Sequence, residues 1–399
     1  MQLMRIVEGG ICAVRGVNAS GIKDGRNGVA LITGGGPAAG VFTTNKVTAA
    51  PVIVTREHLK QSNEILAIIA NSGSANAFTG PAGLADAKSV SKSLAQRLQI
   101  NDTQVAVAST GVIGIPLNVD WIDSRIETLL LTLTDSAEGS LAAAQAIMTT
   151  DSVPKHIAVE VSDVRIGGIA KGAGMIEPKL CTMLAFIYTD AQLSADVLQK
   201  CLKQAADISF NMVVVDGDTS TNDSVLLIAT GESPTTIEIS KFQDALNFVC
   251  ITLAKMIARD GEGASKMMEV TVTGARNRED AVKAAKAVVR SPLVKTALFG
   301  ADPNWGRIVA AVGYSEAFVD PSLLSLSLSN GKSPPIVLLQ KGIIRTANAD
   351  DFEKDALAAI MKSAEISIQI DLGLGVASAT AWGCDLTEDY VRINAQYTT

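Results

Sequence analysis

A mixed α/β protein of layered sheets and covering helices is what this sequence predicts, on three observations. Short apolar runs rich in β-branched residues recur along nearly the whole chain. Helical patterns, with apolar residues three and four apart, fall between many of them, and no repeat or low-complexity stretch breaks the alternation. With 399 residues, 47% apolar and 19% charged, the chain can bury a large core, as two domains or one large one.

Taken in order, the runs predict strands at Val29–Ile32, Ile65–Ala70, Val105–Ala108, Ile157–Val161, Leu184–Tyr188, Met212–Val215, Val225–Ala229, Val270–Val272, Ile336–Leu339 and Ile366–Ile370. Helices are predicted over residues 83–98, 119–133, 138–148, 194–207, 278–290 and 351–362. The clearest helix carries Phe242, Leu246, Val249, Leu253 and Ile257 on one face and stops before Asp260-Gly261. The glycine-rich Thr33–Gly40 lacks the Gly-Lys-Ser/Thr ending of a phosphate loop and reads as a hairpin turn. Ser325–Pro335, polar and with two prolines, reads as a long surface loop.

Composition removes several function classes. No apolar run approaches the roughly 18 residues that span a bilayer, and the N-terminus lacks a signal-peptide core, so a cytoplasmic address with no membrane partner is expected. A net charge of −7 with no basic run and 4% aromatics argues against a nucleic-acid partner. Five scattered cysteines without a Cys-x-x-Cys pair predict reduced, mostly buried thiols. The only histidines are His58, placed at a polar helix start, and His156, beside a new strand. A multi-histidine metal site is therefore impossible, no metal or cofactor is expected, and, neither histidine lying near a nucleophile pattern, a catalytic base other than histidine is expected.

One stretch suggests where. Lys171-Gly-Ala-Gly-Met-Ile-Glu-Pro-Lys-Leu-Cys181-Thr182 places a threonine at the head of an apolar strand. A threonine hydroxyl needs a base, and a residue that becomes an N-terminus can use its own α-amine, whose pKa of about 7.7–8.0 suits the task. Cleavage between Cys181 and Thr182 would leave pieces of 181 and 218 residues. Read alone, Thr182 fits a strand cap at least as well. Ser109-Thr110-Gly111 ends another strand, where a hydroxyl beside an unhindered N–H suits an oxyanion or simply makes a turn. Met148-Thr149-Thr150-Asp151, Asp216–Asp223 and Arg259–Gly263 are polar clusters of the kind turns also use, and Lys171 and Glu262 fit solvated surface charges.

These clusters occur together in an order that resembles the ornithine acetyltransferase family of arginine biosynthesis, also called glutamate N-acetyltransferases. The resemblance runs from Glu8-Gly-Gly to Asn394–Thr399 and includes Gly36–Asn45, Ser109–Gly114, Thr149–Asp151, Lys171 to Phe186, Val215–Asp223, Asp260–Ala264 and Asp302–Arg307. It implies an α-β-β-α layered fold of the self-cleaving, N-terminal-threonine type. The expected pieces are an α chain, 1–181, and a β chain, 182–399, assembled as two of each.

By the same resemblance Thr182 is the nucleophile, acetylated by N-acetylornithine and deacetylated by glutamate in a ping-pong transfer. Thr110 and Gly111 would form the oxyanion hole, and Thr149, Lys171, Thr182, Glu262, Asn394 and Thr399 would contact substrate. Acetyl-CoA is a second acetyl donor in the broader version of this activity. Two departures bear on cleavage: Cys181 stands where the family commonly has alanine, and Ala173 where it commonly has serine. The competing classes are a related amidase or aminopeptidase, with water as acceptor, and an uncleaved binding or structural protein on the same scaffold.

Overall fold

The computed structural model describes residues 4–177, 183–345 and 351–396, with backbone only at 351–353. The chain divides into two compact units, Met1–Asn211 with Asp218–Ile257, and Met212–Gly217 with Ala258–Thr399.

The first unit contains strands β1 (Arg5–Val7), β2 (Asn18–Asp24), β3 (Asn27–Phe42), β4 (Glu64–Ser74), β5 (Val105–Val112), β6 (Lys155–Val161), β7 (Val164–Lys171) and β8 (Leu184–Thr189). After β9 (Val213–Val214), which belongs to the second unit, β10 (Ser224–Ala229) completes it. Its helices are α1 (Ala50–Ser62), α2 (Gly80–Leu98), α3 (Val119–Leu131), α4 (Ala137–Ala146), α5 (Ala195–Ile208) and α6 (Ile239–Arg259), the last through Ile257. The strands run in the order β1-β6-β7-β8-β10-β3-β4-β5, with β2 also on β3.

β3 builds two layers from one path. Gly28–Thr33 pairs with β2 and β4, while Ala38–Phe42 pairs with β10. The register shifts between Thr33 and Gly36. The glycines there permit close backbone approach, because a Cβ on Gly35 would lie 2.0 Å from the Ile65 carbonyl oxygen. Thr33–Gly40 is therefore neither a phosphate loop nor the expected hairpin turn; it is the bend that carries one strand from sheet to sheet.

Successive side chains on a strand face opposite ways, and here both faces are buried. Ala30, Ile32, Ile68, Ala70, Ala106 and Ala108 share a core with Phe186, Tyr188 and Leu226 of the other half. Their neighbours Val29, Leu31, Ala67, Ile69, Val105 and Val107 pack with Val54 of α1, Leu94 of α2 and Ile126 of α3. On the opposite outer face, Gly168 of β7 lies against Val249 and Leu253 of α6. The order is helix, sheet, sheet, helix, as the α-β-β-α expectation has it. Each large aliphatic side chain buried this way contributes roughly 1.5–3 kcal/mol.

The second unit adds β11 (Met267–Ala275), β12 (Ser325–Ser329), β13 (Ile336–Gln340), β14 (Ile343–Ile344), β15 (Glu365–Asp371) and β16 (Ala377–Cys384). With β9 they form a seven-stranded sheet in the order β14-β13-β12-β15-β11-β16-β9. Its helices are α7 (Arg278–Arg290), α8 (Pro292–Phe299), α9 (Trp305–Gly313), α10 (Asp351–Met361) and α11 (Glu388–Ala395). Met268, Val270 and Val272 on β11, and Ile366, Ile368 and Ile370 on β15, are buried.

Two further expectations are corrected. The first half of Ser325–Pro335 is strand β12, whose Leu326 and Leu328 are buried while it pairs with β13 and β15. Its intervening serines made a period-two strand look like loop. His58 is not at a helix start, since α1 begins at Ala50 with proline in its first turn. The ring is buried, with Nδ1 2.8 Å from the Val105 carbonyl, a structural role. Cys12, Cys201, Cys250 and Cys384 are free and buried, and Cys181 lies outside the described residues. Among the described residues no helix is long and apolar enough to cross a membrane.

Candidate active site

Strand ends of the first unit gather four of the expected residues. Thr110 and Gly111 close β5, where they pair with Ser72 and Gly73 of the parallel β4. At Gly111 φ is +131°, and a Cβ would stand 2.3 Å from the Gly73 carbonyl carbon, so only glycine fits. Lys171 ends β7 and Thr149 follows α4. The Lys171 ammonium donates to Thr149 Oγ1 at 2.8 Å and to Thr110 Oγ1 at 3.2 Å. At 7% exposure Lys171 is not the solvated surface charge its sequence context allowed.

Beside that ammonium lies the carboxylate of Asp151, the last residue of the Thr149–Asp151 cluster. Asp151 Oδ2 is 4.0 Å from Lys171 Nζ, while Oδ1 accepts from the fully buried Lys155 at 2.7 Å and from the Gly172 N–H at 2.6 Å. Its Oδ2 also accepts from the Thr149 N–H at 3.1 Å. Burial by itself would raise the Asp151 pKa, but the charges of Lys171 and Lys155 and these hydrogen bonds outweigh it and hold the carboxyl at about 2. Lys23 adds a third cation, donating to Ser72 Oγ at 2.9 Å and to the Met148 carbonyl. Burial lowers its pKa, Asp151 opposes that, and Lys171 reinforces it. The sequence marks neither Lys155 nor Lys23 as a site residue, though the i, i+4 spacing of Asp151 and Lys155 is a signal of their pairing.

The polar loop before β10 frames the same strand ends. Asn222 Nδ2 donates to the carbonyls of Ala75 at 2.6 Å and Ser109 at 2.8 Å, and Ser109 Oγ donates to Asn71 Oδ1 at 2.6 Å. These bonds fix the peptide before Thr110. Ala173, where a serine was the expected family residue, is wholly buried.

In the second unit Glu262, which follows α6, is buried, and its Oε2 accepts from Asn394 Nδ2 of α11 at 2.7 Å. Thr387 caps α11 by accepting from the Tyr390 N–H at 3.3 Å and ties it to this turn by donating to the Gly263 carbonyl at 2.7 Å. Glu262 and Asn394 are thus brought together, and Glu262 too is no solvated charge. Thr182, Cys181 and Thr399 lie outside the described residues. Among the described residues no three His, Cys, Asp or Glu side chains converge as a metal site requires.

A buried lysine at the C-terminal end of β7, bonded to Thr110 near the end of β5 and to Thr149 after α4, in a four-layer α/β unit, presents charge and hydroxyls of the kind that suit a polar, charged small molecule. The chain belongs to the ArgJ family, whose model matches residues 14–399. It is 54% identical over 400 residues to the glutamate N-acetyltransferase of Methanosarcina acetivorans, covering 99% of this chain and 100% of that one. It is 46% identical to the arginine biosynthesis bifunctional protein ArgJ of Symbiobacterium thermophilum, covering 98% and 96%. A crystal structure of arginine biosynthesis bifunctional protein argJ from Bacillus halodurans, 43% identical, covers 54% of this chain and 99% of its own, with a TM-score of 0.49.

Proposed function

We propose that the chain is a self-cleaving acetyltransferase that carries the acetyl group of N2-acetylornithine to L-glutamate, with Thr182 as N-terminal nucleophile. Membership of the ArgJ family and the likeness to glutamate N-acetyltransferases support the reaction class. The observation that carries the mechanism is the hydrogen bond from Lys171 to Thr110. An ammonium has donors and no acceptor, so Thr110 Oγ1 accepts, and its own hydrogen is left to donate elsewhere. Beside it, Gly111 offers a backbone N–H unobstructed by a side chain.

In this reading Thr182 Oγ attacks the acetyl carbonyl while the α-amine takes the hydroxyl proton. Charge developing on the carbonyl oxygen is met by the Thr110 hydroxyl and the Gly111 N–H. Ornithine leaves with the proton returned to its α-nitrogen, and the amine of glutamate reverses the steps on the acetyl-threonine. Lys171 supplies positive charge for a substrate carboxylate, and Glu262 negative charge for the ornithine ammonium. Thr149, Asn394 and Thr399 complete the contacts.

The sheet order supports survival of the cut. β8 follows residue 182, and its neighbours are β7 from before the break and β10 from after it. The two chains would therefore stay joined by the β7–β8 ladder. Incubating the purified protein with N-acetylornithine tests the reading: acetylglutamate should form only when glutamate is present. Acetate release at the same rate without glutamate would establish the amidase class instead. Acetyl-CoA, offered in place of acetylornithine, tests the broader activity.

A further inference from the structure

Four neighbouring strands set Lys23, Gly28, Ser72 and Thr110 in one row. Lys23 of β2 pairs with Gly28 of β3, Gly28 with Ser72 of β4, and Ser72 with Thr110 of β5. Residues paired in this way turn to the same face of a sheet. The next row inward on that face, Ala30, Ala70 and Ala108, belongs to the core between the two sheets. Gly28 leaves the row open, since a Cβ there would lie 2.7 Å from Ser72 Oγ. Lys23 reaches across it to Ser72 Oγ at 2.9 Å, while Lys171 of β7 meets Thr110 Oγ1 at 3.2 Å. The two lysines are also neighbours along the chain that follows α4: Lys23 donates to the Met148 carbonyl and Lys171 to Thr149 Oγ1.

Their charges are balanced differently. Asp151 pairs with Lys155 at 2.7 Å and lies 4.0 Å from Lys171. Lys23 makes no ion pair among the described residues; its two acceptors there are neutral oxygens, and an ammonium has three donors. It is also open to solvent. Burial of part of the side chain and the charge of Lys171 both disfavour the Lys23 ammonium, against the pull of Asp151. A ligand anion placed on Lys23 would relieve both.

We propose that Lys23 is a specificity residue for the acetyl acceptor, taking the side-chain carboxylate of glutamate while Lys171 takes its α-carboxylate. The inference rests on the reading of the chain as an acetylornithine–glutamate acetyltransferase and deepens it. Glutamate attacks through an uncharged amine, so it reacts carrying two carboxylates and no positive charge. The row offers two ammoniums bonded to residues one strand spacing apart, about 4.8 Å, which suits a short chain with a carboxylate at each end. N-acetylornithine carries one carboxylate and an ammonium side chain. Lys23 repels that ammonium and leaves it to the anion proposed for it, Glu262. One carboxylate position thus serves both substrates in turn, while side chains of opposite charge go to different partners.

Lys23→Met keeps an unbranched side chain and removes the charge. Its KM for glutamate should rise about ten- to hundred-fold, the loss of one charged hydrogen bond. The ornithine released from N-acetylornithine before glutamate is added should appear at the wild-type rate, because that half-reaction does not use Lys23. Glutamine, of the same shape without the side-chain charge, should be a poor acceptor for the wild type and approach glutamate in Lys23→Met, whereas Lys23→Arg should keep most of the discrimination. A merely structural lysine would alter both half-reactions alike, and that result overturns the proposal. So does a Lys23→Met enzyme that prefers glutamate as strongly as the wild type, or one that loses only turnover with acetyl-CoA, which would assign the cation to that donor's phosphates. Should the variant not fold, a crystal structure of the wild type with glutamate bound decides: the side-chain carboxylate within hydrogen-bond reach of Lys23 Nζ supports the assignment, and a carboxylate held elsewhere overturns it. A wild type that moves no acetyl from acetylornithine to glutamate would remove the underlying reading, whereas an active wild type beside an unaltered Lys23→Met removes Lys23 alone.

Discussion

Lys171 links the chemistry to the core, because one ammonium orients two threonine hydroxyls and is itself set by Asp151. Thr110→Ala deletes a proposed oxyanion donor and should lower kcat by a factor on the order of 10² while the protein stays folded. Undiminished turnover would exclude Thr110 from the reaction. Asp151 makes a separate prediction about stability. Its pKa is held at about 2 in the fold against about 3.9 unfolded, so its contribution, about 2–3 kcal/mol, is complete at neutral pH and is lost as pH falls from about 4 toward 2. Asp151→Asn should flatten that acid arm, read as Tm against pH, and a wild-type arm in the variant would show that the lysines do not depend on this carboxylate. The sequence presented Lys171, Thr149 and Thr110 as members of family motifs. It did not present the buried Asp151–Lys155 pair or the Asn222 stitch, because a polar residue in a turn and one buried beneath a site read alike until the surrounding elements are in place.

At the scale of elements, the helices and the central strands were legible because their signal is local. Ile65–Ala70 and Val105–Ala108 are buried on both faces and read as unbroken apolar runs, and α6 shows its periodicity outright. Thr33–Gly40 was not legible, since its glycines serve contacts with Gly16 and Ile65, neither of them a neighbour in sequence. Gly35→Ala should therefore lower stability by roughly 1–3 kcal/mol through the clash with the Ile65 carbonyl. The check is a denaturant midpoint, and an unchanged midpoint would mean that the bend yields to admit the methyl group. β12 is hidden for a different reason: its serines alternate with buried leucines, so its composition is that of a loop while its period is that of a strand.

For the whole molecule, the expected cut and the compact units do not coincide. The first unit runs through residue 211 and resumes at 218, so it contains both sides of the 181/182 bond. Cleavage would divide the chain inside a sheet, not between domains. The two pieces should accordingly co-elute under native conditions and separate only in denaturant; elution as separate pieces in native buffer would mean that the β7–β8 ladder does not hold them. The residues that would carry the cut, Cys181 and Thr182, are where the central claim stands or falls. It is tested most directly by the intact mass of the purified protein under denaturing conditions, with the N-termini sequenced. The account predicts fragments of 181 and 218 residues, the second beginning at Thr182. A single 41.5 kDa chain that nevertheless transfers acetyl from acetylornithine to glutamate would contradict it.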